Sequence, residues 1–428
     1  MSELESYNML DKLVIQGGKR LTGDVRMSGA KNAALPLIAA SILSEDGLEL
    51  ENVPDVTDVR TLLKAMERLG AIVEFQAETG KLNLTTSNVR PDEIPYDIVR
   101  KMRASVLLMG PLLGRFREAH VYTPGGCAIG ARPINEHIHA FQKLGADHRI
   151  ESGFAILRAP KLRGTQILFD RVTVTGTENA IMAAVMAEGE TVIEHAANEP
   201  EVVDLCNCLI KMGAKINGVG NSRITIKGVR SLHRISHRVI PDRIEAGTYL
   251  MAIAASGGNG TLFAVNPEHL RIPIEKLVEA GVTVIPGKDS ISIEAAHGVH
   301  PVDVETSPYP GFPTDLQAQF MALMTQAEGV SFVKETIFEN RFQHVQELNR
   351  LGARLKIDGN RVIIRGGTTL QGAEVMATDL RASASLVIAG LTASGTTNIH
   401  HIYHLDRGYH NFEGKLQSLG ADIARISE

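Results

Sequence analysis

Residues 351–364 read L-G-A-R-L-K-I-D-G-N-R-V-I-I. Gly352 stands where a helix would end on a C-cap glycine, and the alternating apolar residues after it predict a β-hairpin. The same element recurs along the chain. L-G-A begins at Leu69, Leu144 and Leu419, M-G-A at Met212 and A-G-V at Ala280. The six glycines are 70, 145, 213, 281, 352 and 420, with spacings of 75, 68, 68, 71 and 68. A near-constant period this long marks a whole supersecondary unit rather than one turn of a solenoid.

A second landmark keeps the same register. Small-residue helices are predicted to begin near Gly29 (G-A-K-N-A-A-L-P-L-I-A-A), Arg103, Gly176, Glu245, Thr314 and Arg381. They are apolar on almost every face, so each belongs inside a domain, surrounded by other elements. Three buried helices per domain, covered by sheets and outer helices, give an α/β (α+β) protein of two similar three-unit domains. The polar segment before Pro241 is the expected boundary. It leaves 31–240 as the first domain, and 1–30 with 241–428 as the second. The strand region Leu13 to Met27 is expected to pair with the C-terminal half. Two crossovers would then join the domains, with the active site in the cleft between them.

Composition narrows the class. The chain has 428 residues, 22% of them charged, and a formal net charge of −5 with acids and bases interspersed. No basic stripe or aromatic-basic interleaving points to nucleic acid. Without Trp, the core must come from Ala, Val, Ile, Leu and Met. Three cysteines, Cys127, Cys206 and Cys208, argue against a disulfide framework and for a reducing compartment. No basic-then-apolar leader or membrane-length apolar run stands out, so a cytoplasmic location is expected. Cys206 and Cys208 lack a second ligand cluster, so no metal is assigned.

The loop Y-T-P-G-G-C-A-I-G-A-R, 122–132, places one thiol, Cys127, among Pro124, Gly125, Gly126 and Gly130, with Arg132 nearby. A fixed cation favours the thiolate and suits a reactive cysteine, though an ordinary surface loop reads the same way. Ionic residues gather at the helix starts: Lys31 and Asn32, Arg103, Asp315, and Asp379 with Arg381. Helix N-termini already carry partial positive charge, so added cations there suggest an anionic ligand. The structural alternatives are pairing of Arg103 with Asp97 and Arg381 with Asp379, and an N-cap role for Asp315. Arg341 and Arg407 add loop cations. Several such forks facing one cleft suit a substrate with more than one anionic group, with Asp315 able to orient or deprotonate a hydroxyl.

The stretches S-G-A-K-N-A-A-L-P (28–36), P-G-G-C-A-I-G-A-R-P (124–133), F-P-T-D-L-Q-A-Q-F (312–320), E-N-R-F-Q-H-V (339–345), A-T-D-L-R-A-S (377–383) and Y-H-L-D-R-G-Y (403–409) are similar to those of the UDP-N-acetylglucosamine 1-carboxyvinyltransferases. The resemblance runs from about Lys12 to the end of the chain. It implies two domains, each of three βαβαββ-type units around buried helices, an inside-out α/β barrel. It implies transfer of the enolpyruvyl group of phosphoenolpyruvate to the 3′-hydroxyl of UDP-N-acetylglucosamine, with release of phosphate. That is the first committed step of peptidoglycan synthesis, and it uses no cofactor.

By position, Cys127 resembles the general acid and the site of a covalent adduct with phosphoenolpyruvate. Lys31, Arg132 and Arg407 resemble the phosphate clamp, with Arg103 close by. Arg341 and Arg381 resemble the carboxylate partners, and Asp315 the residue that deprotonates the sugar hydroxyl. Asp379 is grouped with the substrate-binding set. Asn32, Arg132, Pro133, Ile134, Asn135, Glu136, Arg171, Val172, Thr173, Val174 and Ile337 resemble sugar-nucleotide contacts. R-P-I-N-E stands where many relatives have R-P-I-D-L, and Arg171 where lysine is common. Two other readings share the six-unit plan: 3-phosphoshikimate 1-carboxyvinyltransferase, and a non-catalytic sugar-nucleotide sensor.

Overall fold

A computed structural model describes residues 11–94, 103–122 and 134–427. In it all six repeat glycines adopt φ between 86° and 108°. At every one the glycine N–H donates to the carbonyl three residues back. The next N–H donates to the carbonyl five residues back, as in Ala353 to Leu348. This paired closure requires a left-handed residue, which only glycine supplies without strain.

After five of the glycines the chain turns into a hairpin: Ile72–Gln76 with Lys81–Thr85, Asp147–Glu151 with Phe154–Arg158, Lys215–Asn217 with Arg223–Lys227, Thr283–Pro286 with Ser290–Glu294, and Leu355–Asp358 with Arg361–Arg365. After Gly420 only Asp422–Ile426 follows. Its antiparallel partner is Lys12–Gln16 from the start of the chain.

One repeat shows the full unit. Strand Gln166–Leu168, helix Val174–Ala184, strand Glu190–Glu194, helix Pro200–Lys211 and the following hairpin run in βαβαββ order. The first strand lies parallel to the second at the sheet edge. Two units take that edge strand from elsewhere in the sequence. Thr22–Arg26 pairs with Asn259–Phe263, and Ser236–Arg238 pairs with Leu48–Glu51. Parallel pairing needs a long crossover, and here the chain exchanges the leading strands at its two passages between units. The sheet of Glu118–Tyr122, Asp147–Glu151 and Phe154–Arg158 has three strands among the described residues.

The chain forms two compact units. One runs up to Ser28 and resumes at Pro241; the other takes the described residues from Gly29 to Ile240. Each has its own apolar core. Helices Lys31–Ala40, Val174–Ala184, Arg243–Ala255, Gln317–Met324 and Leu380–Thr392 are buried along nearly their whole length. Helices Thr57–Arg68, Pro200–Lys211 and Arg271–Glu279 bury one face only. Small residues let the buried helices touch. A Cβ at Gly110 would stand 2.5 Å from the Asn179 carbonyl oxygen.

The repeat glycines separate two physical costs. A Cβ at Gly352 meets nothing within 4 Å, whereas one at Gly70 would lie 2.5 Å from the Asn88 carbonyl oxygen. Gly352→Ala is expected to lower stability by about 1–2 kcal/mol, the cost of a left-handed alanine. Gly70→Ala is expected to cost more, because backbone must also move. Chemical denaturation of both variants checks the order; equal losses would show that the close approach costs nothing.

Candidate active site

The unit that resumes at Pro241 places three of the expected residues in contact. The turn Thr314–Leu316 leads into helix Gln317–Met324 and carries Asp315. Arg341 Nη2 donates to Asp315 Oδ1 at 2.8 Å, and Arg381 Nη2 donates to Oδ2 at 2.9 Å. The arginine side chains are 5% and 4% exposed, the aspartate 27%. The carboxylate is thus the open edge of an otherwise enclosed array. Burial pulls the Asp315 pKa upward, but Arg381 and Arg341 outweigh it and hold the carboxyl well below the usual range. Burial opposes the charge on Arg381, and Asp315 more than offsets it, so the arginine pKa is raised.

This corrects two local readings. Pro313, not Asp315, precedes the turn as its cap, and Asp315 spends its oxygens on the arginines. Asp379 is not the side-chain partner of Arg381. It caps helix Leu380–Thr392 by accepting from the backbone N–H groups of Arg381 and Ala382 at 2.9 and 3.0 Å.

Aromatic rings and a hydroxyl fix the two guanidiniums. Arg381 lies 5.3 Å from the Tyr409 ring centroid and Arg341 lies 5.2 Å from that of Phe338. The Tyr409 hydroxyl is 2.9 Å from Thr248 Oγ and accepts from Gln319 Nε2 at 3.2 Å. Arg341 Nη1 donates to Thr314 Oγ1 at 2.9 Å. Thr314, Gln319, Thr248, Tyr409 and Phe338 escaped the sequence-based assignment of roles. The L-D-R-G-Y stretch offered a signal for Tyr409, F-P-T-D-L-Q-A-Q-F one for Thr314 and Gln319, and P-D-R-I-E-A-G-T (241–248) one for Thr248; that Phe338 lies against Arg341 only folding establishes.

Ile337 is partly exposed, in the loop that leads to Arg341. Arg407 ends the 3₁₀ segment Ile402–Arg407 and is half-buried. Its neighbour Asp406 takes both Nη groups of Arg425, at 2.6 and 3.0 Å. His404 is lowered to about 4 by burial and then by Arg407, against the pull of Asp379. His344 is also lowered to about 4, by burial and by Arg341, with Asp379 opposing. Both are neutral at physiological pH.

In the other unit, Lys31 is the first residue of its buried helix and only 8% exposed. A cation at this end is unfavourable, and Asp58, 3.1 Å from Nζ, offsets it. Asn32 is partly buried. Ile134, Asn135 and Glu136 start helix Asn135–Lys143, while Arg171, Val172, Thr173 and Val174 lead into helix Val174–Ala184. Arg171 and Val172 are exposed; Thr173 caps the helix by accepting from Gly176 N–H. His137 ties these two helix starts. Its Nδ1 accepts from Asn179 Nδ2 at 2.8 Å, leaving Nε2, 3.3 Å from Thr175 Oγ1, as the donor. Arg103 begins the 3₁₀ turn Arg103–Leu108, but its side chain, like Cys127, Arg132 and Pro133, lies outside the described residues. Among the described residues no group of His, Cys, Asp or Glu is arranged to hold a metal. No helix among them is long and apolar enough to cross a membrane.

A sequence model of the EPSP synthase (3-phosphoshikimate 1-carboxyvinyltransferase) family matches residues 15–416, nearly the whole chain. The chain belongs to the EPSP synthase/enolpyruvyl transferase family. Among solved structures, the enolpyruvyl transferase NikO from Streptomyces tendae matches with a TM-score of 0.88 and 26% identity, over 98% of this chain and 99% of that one. EPSP synthase from Acinetobacter baumannii matches at 0.72 and 18% identity, over 97% and 100%. The latter likeness establishes the fold. Together they fix the two-domain α/β architecture and a carboxyvinyl-transferase family that uses phosphoenolpyruvate.

The Asp315 array has a signed pH dependence. Its depressed pKa means that the ionised form stabilises the fold above about pH 4, the ordinary aspartate value, and that this is lost as pH falls through the folded pKa. Asp315→Asn strands two buried cations and is expected to cost roughly 3 kcal/mol at pH 7. Denaturation from pH 7 to pH 3 should show that deficit shrinking on acidification; a constant deficit would contradict the ionic account.

Proposed function

We propose that the protein transfers the enolpyruvyl group of phosphoenolpyruvate to the 3′-hydroxyl of UDP-N-acetylglucosamine and releases phosphate. The observation that carries this reading is the Arg341–Asp315–Arg381 array. It offers two enclosed guanidinium forks to a carboxylate, with a carboxylate between them suited to take a hydroxyl proton. The choice of acceptor rests on the sequence stretches shared with the UDP-N-acetylglucosamine enzymes.

While both guanidiniums hold it, Asp315 is a weak base. A substrate carboxylate that takes over Arg341 and Arg381 frees it, so donor binding raises its basicity as the acceptor hydroxyl arrives. The acceptor oxygen then bonds to C2 of phosphoenolpyruvate as its proton passes to Asp315, and Cys127 gives a proton to C3. Phosphate leaves with the electrons of its C2–O bond. A C3 proton returns to the Cys127 thiolate, which restores the double bond and the thiol. Lys31, Arg132 and Arg407, with Arg103, neutralise the phosphate in this scheme. Ile337, the 132–136 stretch, the 171–174 stretch and Asn32 serve the sugar nucleotide, and Asp379 keeps Arg381 at its helix start.

Phosphate release with phosphoenolpyruvate and each acceptor tests the assignment. Turnover with UDP-N-acetylglucosamine is expected; release only with shikimate 3-phosphate, the activity that names the matching family model, would overturn it. Asp315→Ala should lower kcat by about 10²–10⁴, the usual contribution of a positioned acid or base.

Thiol labelling tests the role of Cys127. Burial raises the thiols of Cys206 and Cys208 to about 12, so neither is a thiolate at neutral pH. Fosfomycin, an epoxide, should add to the peptide containing Cys127 and leave the Cys206–Cys208 peptide unchanged by mass. Modification of the buried pair, or an unmodified Cys127, would count against the assignment.

A further inference from the structure

We propose that Glu335 is the positioning residue for Arg341 and thereby for the carboxylate of the donor substrate; this rests on the reading of Arg341 as a carboxylate partner. Two groups hold the Arg341 guanidinium from outside the Asp315 pair: the Thr314 hydroxyl, 2.9 Å from Nη1, and the Phe338 ring beneath it. Both are fastened to Glu335. Thr314 Oγ1 donates to Glu335 Oε2 at 2.8 Å, and the Phe338 backbone N–H donates to Oε1 at 3.1 Å. Oε1 also accepts from the Ile337 N–H at 2.7 Å and from Thr306 Oγ1 at 2.9 Å. Glu335 is 3% exposed. One buried carboxylate therefore joins the strand end at Thr306, the helix start at Thr314 and the loop that delivers Arg341.

The charge on Glu335 sets the direction of this relay. A carboxylate only accepts, so the single hydrogen of the Thr314 hydroxyl points to Glu335 and its lone pairs are left for Arg341. An amide at position 335 breaks that rule. Its NH₂ can face Thr314, and the hydroxyl hydrogen is then free to turn against the guanidinium. Phe338 and Ile337 lose a charge-assisted acceptor at the same time. Glu335 does not touch the reacting atoms in this scheme; it acts through Thr314 and Phe338 on Arg341.

Steady-state kinetics on Glu335→Gln, Thr314→Val, the double variant and Thr314→Ser test the relay. Glu335→Gln and Thr314→Val should each raise KM for phosphoenolpyruvate about tenfold or more, the scale of one charge-assisted hydrogen bond. The acceptor KM should change little in Thr314→Val, which leaves the bond from the Ile337 N–H to Glu335 in place. The double variant should be no worse than the worse single one, because both act along one path. Thr314→Ser keeps the hydroxyl and should restore the wild-type KM.

The same comparison is made by calorimetric titration with phosphoenolpyruvate alone, so an error in the acceptor leaves it intact. Arg341→Ala serves as the control. A normal donor KM and affinity there would refute the role of Arg341 itself. A raised value there beside normal values in Glu335→Gln would refute the positioning role of Glu335 alone. Melting temperatures that fall while donor KM and affinity stay normal would reduce Glu335 to a structural carboxylate.

Discussion

The carboxylate of Asp315 shared between two enclosed guanidiniums is the interaction on which the rest of the site depends. Two buried arginines without an anion would be costly, and one carboxylate makes both tolerable. The fold supplies these groups from three elements: the turn Thr314–Leu316, the loop before helix His344–Arg350, and the start of helix Leu380–Thr392. Around them, Tyr409, Phe338, Thr314 and Glu335 leave the arginines little freedom. Guanidiniums held in this way reduce the side-chain ordering that binding must supply. Its one partly exposed member is the group that a substrate carboxylate would replace.

The same arrangement recurs in simpler form in the other unit. Lys31 begins a buried helix, where the helix dipole disfavours a cation, and Asp58 from the next helix offsets it. In both units a cation at a buried helix start is held by a carboxylate brought in from another element. A helix start that tolerates a cation only with an anion beside it is suited to exchange that anion for a substrate's. The repeated architecture explains how the arrangement can recur: each unit presents the start of a buried helix next to a sheet edge, with side chains varied on a common frame.

Much of the frame was legible in sequence because its signals are local. A left-handed helix end favours glycine, so the six repeat glycines declared themselves at a near-constant spacing. Helices made of small and apolar residues on every face had to be interior. Leu13 to Met27 was expected to pair with the C-terminal half because it precedes the first buried helix, and Lys12–Gln16 does so by completing the sixth hairpin. The site was legible as a set of residues but not as a set of bonds. Local sequence offered Asp379 to Arg381 two residues away, yet that carboxylate serves the helix cap, while the partner Asp315 lies 66 residues away. Asp58 sits 27 residues from Lys31, and Glu335 sits 21 from Thr314. Such pairs are decided by which elements the fold brings together, and no periodicity encodes them. The Cys127 loop, with Arg132 and Pro133, lies outside the described residues and rests on its sequence alone.

The central claim is that a donor carboxylate displaces Asp315 from Arg341 and Arg381 and so turns a clamped anion into a base. A crystal structure with phosphoenolpyruvate and UDP-N-acetylglucosamine bound to the Cys127→Ala protein tests this most directly. The account predicts the phosphoenolpyruvate carboxylate on both guanidiniums and Asp315 within hydrogen-bond reach of the sugar 3′-hydroxyl. A complex in which Asp315 keeps both arginines, with the donor carboxylate bound elsewhere, would contradict it.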